Sequence, residues 1–415
     1  MRELRETALA VKKASAVLAL LDTEKKNRAL LAIADALEAH AEDILSENAL
    51  DVAAGRENGM SESLLDRLAL SESRIDGMAE GVRQLAALPD PIGETVEEFT
   101  RPNGLRIRKV RVPLGVIGMI YEARPNVTVD TAAIAFKTGN GILLRGSANA
   151  LRSNMALAKV MRDALKAEGI PEDVIAVVED TAHKSVDELV RMNDCVDVVI
   201  PRGGAGLIRR VMETASVPVL ETGVGNCHIF VDESAGYDMA ESIVINAKTQ
   251  RPSVCNAMET LLVHAAWATG NLAKLLAKLH TLGVTVHGDK AVQDMDPLAI
   301  PAVEEDWDKE YLAPELAVKV VDNLDAAMAH IAAHGTKHTE VILTEDAENA
   351  AFFLRSVDAA AVYHNASSRF TDGFEFGFGA EMGISTQKLH ARGPLGLREM
   401  TSYKYTVCGV GQIRS

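Results

Sequence analysis

Cysteine is scarce in this sequence, and no two cysteines stand close together. The chain of 415 residues has four of them, Cys195, Cys227, Cys255 and Cys408, and none forms a Cys-x-x-Cys pair. This spacing excludes a zinc knuckle and the disulfide framework of a small secreted domain. We therefore predict no metal site, and each cysteine has to be judged by its own surroundings.

Long apolar runs and an excess of positive charge are also missing. No run approaches the ~18 to 20 apolar residues that a membrane span requires, and no signal peptide is evident. The formal net charge is -16, which repels a nucleic acid backbone. We therefore predict a cytoplasmic protein that acts on a small molecule and binds neither a membrane nor nucleic acid.

The chain is long enough for more than one folding unit. Single hydrophobic cores stop growing near ~250 to 300 residues, so two or three domains are expected. The first ninety residues have apolar positions at helical spacing, such as Leu30, Leu31 and Ala34. In residues 99–112, Asn103-Gly104 precedes an alternating run, which predicts a hairpin.

From Pro113 onwards, short apolar runs alternate with amphipathic stretches, as in parallel strands joined by helices. The first series of predicted strands is 116–120, 142–144, 174–178, 196–200 and 217–220. The second series is 229–231, 260–263, 284–286, 316–321, 340–343 and 360–363. The acidic stretch 304–310 is interpreted as a solvated loop. The pattern predicts an α/β protein with two parallel-sheet domains, whose chemistry we expect in the loops after strands.

Cys255 lies in such a polar loop, next to basic residues that favour the reactive thiolate. The other three cysteines lie in or beside apolar runs and are predicted to be inert packing residues. Asn126 could donate a hydrogen bond to an oxyanion, or could simply bond its own turn. Gly203, Gly204 and Gly206 open a helix that could bind phosphate, but no dinucleotide fingerprint or Walker loop is present, and a glycine turn without a ligand is the alternative.

Taken together, these loops resemble the aldehyde dehydrogenase superfamily. Its oxyanion asparagine, cofactor loop, phosphate turn, nucleophile loop and ribose-binding glutamate correspond to Asn126, 145–148, 201–206, 250–255 and Glu310. Five longer strings support the resemblance and indicate one branch of the superfamily, the reductases that act on acyl phosphates. They are YEARPNVTVD (121–130), FKTGN (136–140), IPRGGAG (200–206), NAKTQRPSVC (246–255) and GAEMGISTQKLHARGPLGL (379–397).

The resemblance implies a fold of two doubly wound parallel-sheet domains with a small β oligomerisation arm. Residues 1–98 and 113–226, rejoined by about 364–392, are expected to form a cofactor-binding domain. Residues 227–363 are expected to carry the nucleophilic cysteine. Residues 99–112 and 400–415 are expected to form the arm of a homodimer or homotetramer.

The resemblance also implies a reaction, the NADPH-dependent reduction of L-glutamyl 5-phosphate to L-glutamate 5-semialdehyde and phosphate. This is the second step of proline biosynthesis. Cys255 is expected to form a thioester, with Asn126 holding the oxyanion. The expected cofactor residues are Arg145, Ser147, Gly203, Gly204, Gly206 and Glu310. A transient contact with glutamate 5-kinase, which makes the acyl phosphate, is left open.

NADPH is expected rather than NADH, because Ala148 stands where NAD-preferring relatives often have a glutamate, and Arg145 is nearby. A solvent-facing Arg145 is the alternative. Glu221 corresponds to the glutamate that activates water in hydrolytic aldehyde dehydrogenases. A reductase that releases phosphate needs no hydrolysis, so Glu221 either assists proton transfer or caps its loop. The cations that could bind the substrate's anionic groups are not ranked by the sequence. They are Arg124, Arg251, Arg369, Lys388 and Arg392.

Three other functions stay open at this point. Two are enzymes, an aldehyde dehydrogenase that hydrolyses its thioester and a CoA-acylating relative. The third is a scaffold that keeps the fold without the chemistry. A requirement for inorganic phosphate in the oxidation of glutamate semialdehyde distinguishes the expected reaction from the first two functions. The effect of replacing Cys255 on activity distinguishes it from the third.

Overall fold

The computed structural model of the chain describes residues 3–414, without the side chains of Ser63 and Ala205. The chain divides into two compact units. The first unit comprises the described residues up to Thr222, Gly377–Gly383 and the chain from Leu395 onwards. The second unit comprises Gly223–Phe376 and Ile384–Pro394.

The first unit begins with five helices, because its apolar residues recur at helical spacing and are buried on one face. The helices are α1 (Leu4–Leu18), α2 (Thr23–Ala39), α3 (Ala41–Glu57), α4 (Glu62–Leu68) and α5 (Glu72–Ala87). Lys137 lies fully buried beneath them, where its ammonium donates to the carbonyl oxygen of Ala86 at 2.9 Å. Burial lowers the pKa of this amine to about 8.

A parallel sheet with strand order β5-β4-β3-β6 forms the centre of the first unit. Its elements are β3 (Val116–Tyr121), α6 (Pro125–Lys137), β4 (Gly141–Arg145), α7 (Leu151–Ala167), β5 (Ile175–Val177), α8 (His183–Leu189), β6 (Val198–Arg202) and α9 (Ala205–Thr214), with short 3-10 turns at Ala148–Ala150 and Glu172–Val174. Every residue of β3 and β4 is buried, as expected for strands covered on both faces. The predicted strand 217–220 is wrong, since only Val219 forms an isolated bridge, to Val199.

The same unit also contains an antiparallel sheet of three strands. Its strands are β1 (Thr95–Thr100), β2 (Arg106–Pro113) and β16 (Thr401–Cys408), in the order β1-β2-β16. We call this sheet the arm. The predicted hairpin is confirmed, and Gly104 has the positive φ of +86° that its turn requires. Cys408 is exposed on β16, so its prediction as a packing residue is wrong.

The second unit contains a parallel sheet of seven strands, in the order β10-β9-β11-β8-β7-β12-β13. The first elements are β7 (Cys227–Val231), α10 (Tyr237–Thr249), β8 (Met258–His264), α11 (Ala265–Thr281), β9 (Thr285–Gly288), α12 (Lys290–Met295) and β10 (Ile300–Pro301). The remaining ones are β11 (Glu315–Val321), α13 (Leu324–His334), β12 (Thr339–Leu343), α14 (Ala347–Ser356), β13 (Ala361–His364), β14 (Ile384–Ser385) and β15 (Gly393–Pro394), with 3-10 turns at Glu304–Asp308 and Ser368–Phe370.

Two predictions about the second unit need correction. Residues 304–310 are not simply a solvated loop, because Asp306 and Trp307 are buried and the Asp306 carboxylate accepts from Tyr311 Oη at 2.9 Å. Of the expected rejoining segment 364–392, only 377–383 belongs to the first unit, whereas 364–376 and 384–392 belong to the second unit. There, Lys388 and Arg392 both pair with Asp358.

Candidate active site

The loop that carries Cys255 connects the end of α10 to the start of β8, so it lies at the amino-terminal edge of the second sheet. Cys255 is partly exposed. A fully buried ion pair between Lys248, in the last turn of α10, and Glu259, in β8, joins the two elements that flank the loop. Burial raises the pKa of the Glu259 carboxyl, and the Lys248 charge opposes that rise. Both ends of the loop are therefore held.

Asn256 ties this loop to the segment after β13. Its Nδ2 donates to the carbonyl oxygens of Thr371 at 2.8 Å and Arg369 at 3.3 Å. In return, the Ser368 hydroxyl donates to the carbonyl oxygen of Asn256 at 2.7 Å. These bonds place Arg369 next to the loop that carries Cys255.

The backbone of Cys255 also packs against the residues that lead into β7. A Cβ atom on Gly225 would lie 1.6 Å from the carbonyl oxygen of Cys255, so only glycine permits this approach. Two residues later, the Cys227 thiol donates to that same oxygen at 3.1 Å. Cys227 is buried as predicted, and burial raises its thiol pKa well above the ordinary value. Its contact with Cys255 was not foreseen, because a lone strand cysteine carries no such signal.

Glu310 joins the same group of residues. Its Oε1 accepts from the backbone N–H of Gly225 at 2.8 Å. Two residues on, Leu312 has a positive φ of 53°, and its N–H donates to Glu259 at 3.2 Å. Of the predicted site residues, the structure thus brings Cys255 and Glu310 together through Gly225.

Asn126 is the second residue of α6 in the first unit, and its side chain is exposed. Its Nδ2 donates to Asp130 Oδ2 at 3.1 Å, one turn along the helix. Burial raises the pKa of Asp130 to about 6, although the Asn126 bond and the charge of Arg202 oppose the rise. One of the two amide N–H groups of Asn126 is used in this bond.

Arg145 ends β4 and is buried, so it does not face solvent as the alternative interpretation requires. Its guanidinium donates to the carbonyl oxygens of Gly146, Thr181 and Ala182 and to the Ser185 hydroxyl. Four of its five N–H donors are therefore committed, two of them to the loop before α8. The Ser147 hydroxyl accepts from the N–H of Asn149 at 3.3 Å and caps the following 3-10 turn.

Gly203 and Gly204 connect β6 to α9, and Gly206 lies in the first turn of that helix. The N–H of Gly204 donates to Glu122 Oε1 at 2.7 Å, and a Cβ atom on Gly203 would lie 2.8 Å from that oxygen. A carboxylate thus occupies the helix end where a phosphate was predicted. Anions are favoured at this end by the free N–H groups and by the helix dipole.

The described part of the chain has neither a cluster of metal-binding side chains nor a helix that could span a membrane. Residues 3–414 contain no group of three histidine, cysteine or acidic side chains placed to hold a metal ion. No helix in the same range is long and apolar enough to cross a membrane.

Comparison with known proteins identifies the family. The model of the aldehyde dehydrogenase family matches residues 2–306, which is more than half of the chain. The chain belongs to the aldehyde dehydrogenase family. It is accordingly an oxidoreductase, and the resemblance inferred from the sequence motifs is confirmed.

Curated relatives match this family member over its whole length. A gamma-glutamyl phosphate reductase from Geobacillus thermodenitrificans is 58% identical over 415 residues and covers 100% of both chains. One from Halalkalibacterium halodurans is 56% identical with the same coverage. The similarity thus includes both units and the arm.

Solved structures agree with the fold predicted for an aldehyde dehydrogenase family member. The crystal structure of gamma-glutamyl phosphate reductase from Thermotoga maritima has a TM-score of 0.97 and 51% identity, and it covers 100% of both chains. An acetylating aldehyde dehydrogenase from Geobacillus thermoglucosidasius has a TM-score of 0.70 at 17% identity, covering 99% of this chain and 97% of its own. The second likeness shows the fold alone.

Proposed function

We propose that this enzyme reduces L-glutamyl 5-phosphate to L-glutamate 5-semialdehyde and phosphate with NADPH, the second step of proline biosynthesis. The observation that carries the proposal is the full-length identity of 58% to a gamma-glutamyl phosphate reductase. The partly exposed thiol of Cys255, in a loop tied to its surroundings on three sides, supports it. A cytoplasmic location remains part of this proposal.

The chemistry proposed for Cys255 is nucleophilic catalysis. Its thiolate attacks the acyl carbon, and a side-chain amide from Asn126 stabilises the oxyanion. The bond to phosphate then breaks, which leaves a thioester on Cys255. The reduced nicotinamide cofactor supplies the hydride for this thioester when it is bound. The hydrogen bond from Cys227 and the anchors of Asn256 keep the Cys255 backbone in place, which matters because small misplacements of a nucleophile are costly.

The residues predicted for the cofactor fit a dinucleotide phosphate in part. The turn after β4 offers Ser147 and Ala148 without a carboxylate, which favours the extra phosphate of NADPH. Arg145 supports this turn through its carbonyl contacts, which suggests a positioning role. The glycines at the start of α9 offer backbone donors, and a cofactor phosphate there has to compete with Glu122.

We also propose that the arm mediates assembly into a homodimer or a dimer of dimers. Its strand β16 exposes Tyr403, Tyr405 and Val407, each by more than half of its surface. A small sheet with such exposed apolar groups gains stability by docking on another subunit. Sedimentation over a hundredfold range of concentration tests this, and a mass that stays at one chain throughout contradicts it. The only support for a transient contact with glutamate 5-kinase is that an acyl phosphate is labile in water.

The central test is consumption of NADPH in the presence of glutamate, ATP and a glutamate 5-kinase. Wild-type enzyme should oxidise NADPH, and Cys255→Ser should not. In the reverse direction, oxidation of glutamate semialdehyde should require both NADP and inorganic phosphate. Oxidation without phosphate would favour a hydrolysing aldehyde dehydrogenase, and a requirement for CoA would favour an acylating one. Full activity in the serine variant would show that Cys255 is not the nucleophile, and no NADPH oxidation by the wild type would favour a scaffold.

A further inference from the structure

The structure separates the cations that the sequence could not rank. In the second unit, Lys388 Nζ and Arg392 NH1 both lie 2.8 Å from the Asp358 carboxylate, so these two cations share one acidic partner. Arg124 lies in the first unit, where it directly precedes α6. Arg251 and Arg369 remain, and both belong to the segments that surround Cys255.

Arg369 is fixed next to the nucleophile loop by its backbone and by its side chain. Its Nε donates to Gln250 Oε1 at 2.8 Å, at the start of that loop. Its carbonyl oxygen accepts from Asn256 at the other end of the loop. Arg369 is therefore attached to both ends of the segment that carries Cys255, by its side chain at Gln250 and by its backbone at Asn256.

The guanidinium of Arg369 is half-buried, and charged groups of both signs lie near it. Its pKa is lowered, chiefly by burial and also by the charge of Arg251, while Asp372 and Cys255 act in the opposite direction. Within residues 3–414, Arg369 forms no ion pair closer than 4 Å with a carboxylate. A partly desolvated cation beside another cation is a favourable place for an anion.

We propose that Arg369, held by Gln250, binds the phosphate group of the substrate next to Cys255. This inference rests on the proposed function, because it assumes an acyl phosphate. The phosphate is bonded to the carbon that Cys255 attacks, whereas the α-carboxylate lies at the other end of the substrate's carbon chain. A group near the thiolate therefore meets the phosphate first, and guanidinium matches phosphate oxygens in geometry and charge.

The role of Arg369 follows from the charge movement in the step. As the sulfur–carbon bond forms, the bond between the acyl carbon and the phosphate oxygen breaks, and its electron pair leaves with the phosphate. Arg369 stays protonated and neutralises the charge that develops on that oxygen. In the reverse direction, it holds inorganic phosphate while a phosphate oxygen attacks the thioester and the Cys255 thiolate departs.

The reverse reaction provides the decisive experiment, because the phosphate and the carboxylate are then on different molecules. Initial rates of NADP reduction are measured with glutamate semialdehyde and inorganic phosphate varied separately. Arg369→Gln should raise the KM for phosphate about 10- to 100-fold, as expected for loss of a charge-assisted hydrogen bond, and should leave the KM for the semialdehyde unchanged. The KM for phosphate of Arg369→Lys should lie between those of the wild type and Arg369→Gln. Lysine keeps the positive charge but lacks the paired N–H donors of a guanidinium.

Controls make the outcome decisive. Arg355→Gln removes a guanidinium on α14 that lies over the ring of Phe352, and it should change neither KM. If Arg369→Gln raises only the KM for the semialdehyde, the residue binds the carboxylate and the inference is wrong. Unchanged values for both substrates also overturn it. A wild-type enzyme that needs no phosphate would instead overturn the proposed function itself.

A binding measurement without turnover covers the case in which Arg369→Gln does not fold. Inorganic phosphate alone should slow the alkylation of Cys255 by iodoacetamide in the wild type, because it occupies the space beside the thiolate. The same protection should weaken in Arg369→Lys and remain intact in Arg355→Gln. Equal protection in all three proteins would contradict the inference, and thermal melting confirms that each variant is folded.

Discussion

The two parallel sheets carry their candidate functional residues at opposite ends of their strands. In the first unit, Asn126, Ser147 and Gly203 follow β3, β4 and β6, at the carboxyl ends. In the second unit, Gly225 precedes β7 and Cys255 precedes β8, at the amino ends. Loops at carboxyl ends lead into helix N-termini, which favour anions. The nucleophile loop instead follows the end of α10, so positive charge for a thiolate has to come from side chains.

The largest effect on activity is expected at the amino-terminal edge of the second sheet, where Cys255 lies. Cys255→Ser should lower kcat for NADPH oxidation by at least about 10³-fold, because a serine hydroxyl is a much weaker acid and a weaker nucleophile than a thiol. Binding of NADPH, followed by fluorescence titration, should be unchanged if the carboxyl-end edge of the first unit holds the cofactor. Cys408→Ser, at an exposed position on β16, is the control and should behave as wild type. A serine variant that keeps a tenth of the activity would refute this division of roles.

The buried Lys248–Glu259 pair should be the next most sensitive feature of the amino-end edge. Lys248→Met leaves the Glu259 carboxylate buried without its partner and should lower the free energy of unfolding by about 3–5 kcal/mol at pH 8. The pKa of Glu259 is raised, so its contribution to stability is present at low pH and is lost as the pH rises through the folded pKa of about 7.

The loss in Lys248→Met should therefore be smaller at pH 6 than at pH 8, as measured by urea unfolding at both values. The double variant Lys248→Met with Glu259→Gln is the matched control and should show a weaker dependence on pH. A loss of unfolding free energy that grows as the pH falls would contradict this prediction.

A glycine substitution should separate the position of the nucleophile from its chemistry. Gly225→Ala places a methyl group against the backbone of Cys255, which cannot rotate away, and should lower kcat about 100-fold. Gly270→Ala, at an exposed position in α11 with no atom near the added Cβ, should keep full activity and gain about 0.5–1 kcal/mol of stability. Equal activity of the two variants would show that the contact between Gly225 and Cys255 is unimportant.

The smallest effect on activity is expected at the carboxyl ends of the strands in the first unit, where Glu122 lies. Glu122→Gln removes the negative charge that occupies the start of α9 and should lower the KM for NADPH about 2- to 5-fold, with little change in kcat. Glu188→Gln removes a comparable exposed carboxylate, paired with Lys184 on α8, and should have no effect. If Glu122→Gln weakens NADPH binding instead, the carboxylate supports the cofactor site and does not compete with it.

Sequence reasoning was most successful where the signal is local. Ten of the eleven predicted strands of the two sheets are present, because a buried parallel strand needs a short apolar run. The hairpin of the arm followed from Asn103-Gly104, and Cys255 stood out through its polar loop. The failures are non-local: Trp307 is buried although its neighbours are acidic, and Cys408 is exposed although the sequence predicted a packing residue there.

The sequence by itself determined the family, the alternation of strands and helices, and the identity of the proposed nucleophile, since all of these are encoded in contiguous residues. Only the tertiary structure decided that Gly225 and Cys227 contact the Cys255 backbone and that Glu122 occupies the start of α9. It also decided that Arg369 lies next to the Cys255 loop, while Lys388 and Arg392 share the carboxylate of Asp358. These contacts join residues that are distant along the chain, and their energies depend on burial and on the distance between charges. Neither quantity exists until the chain has folded.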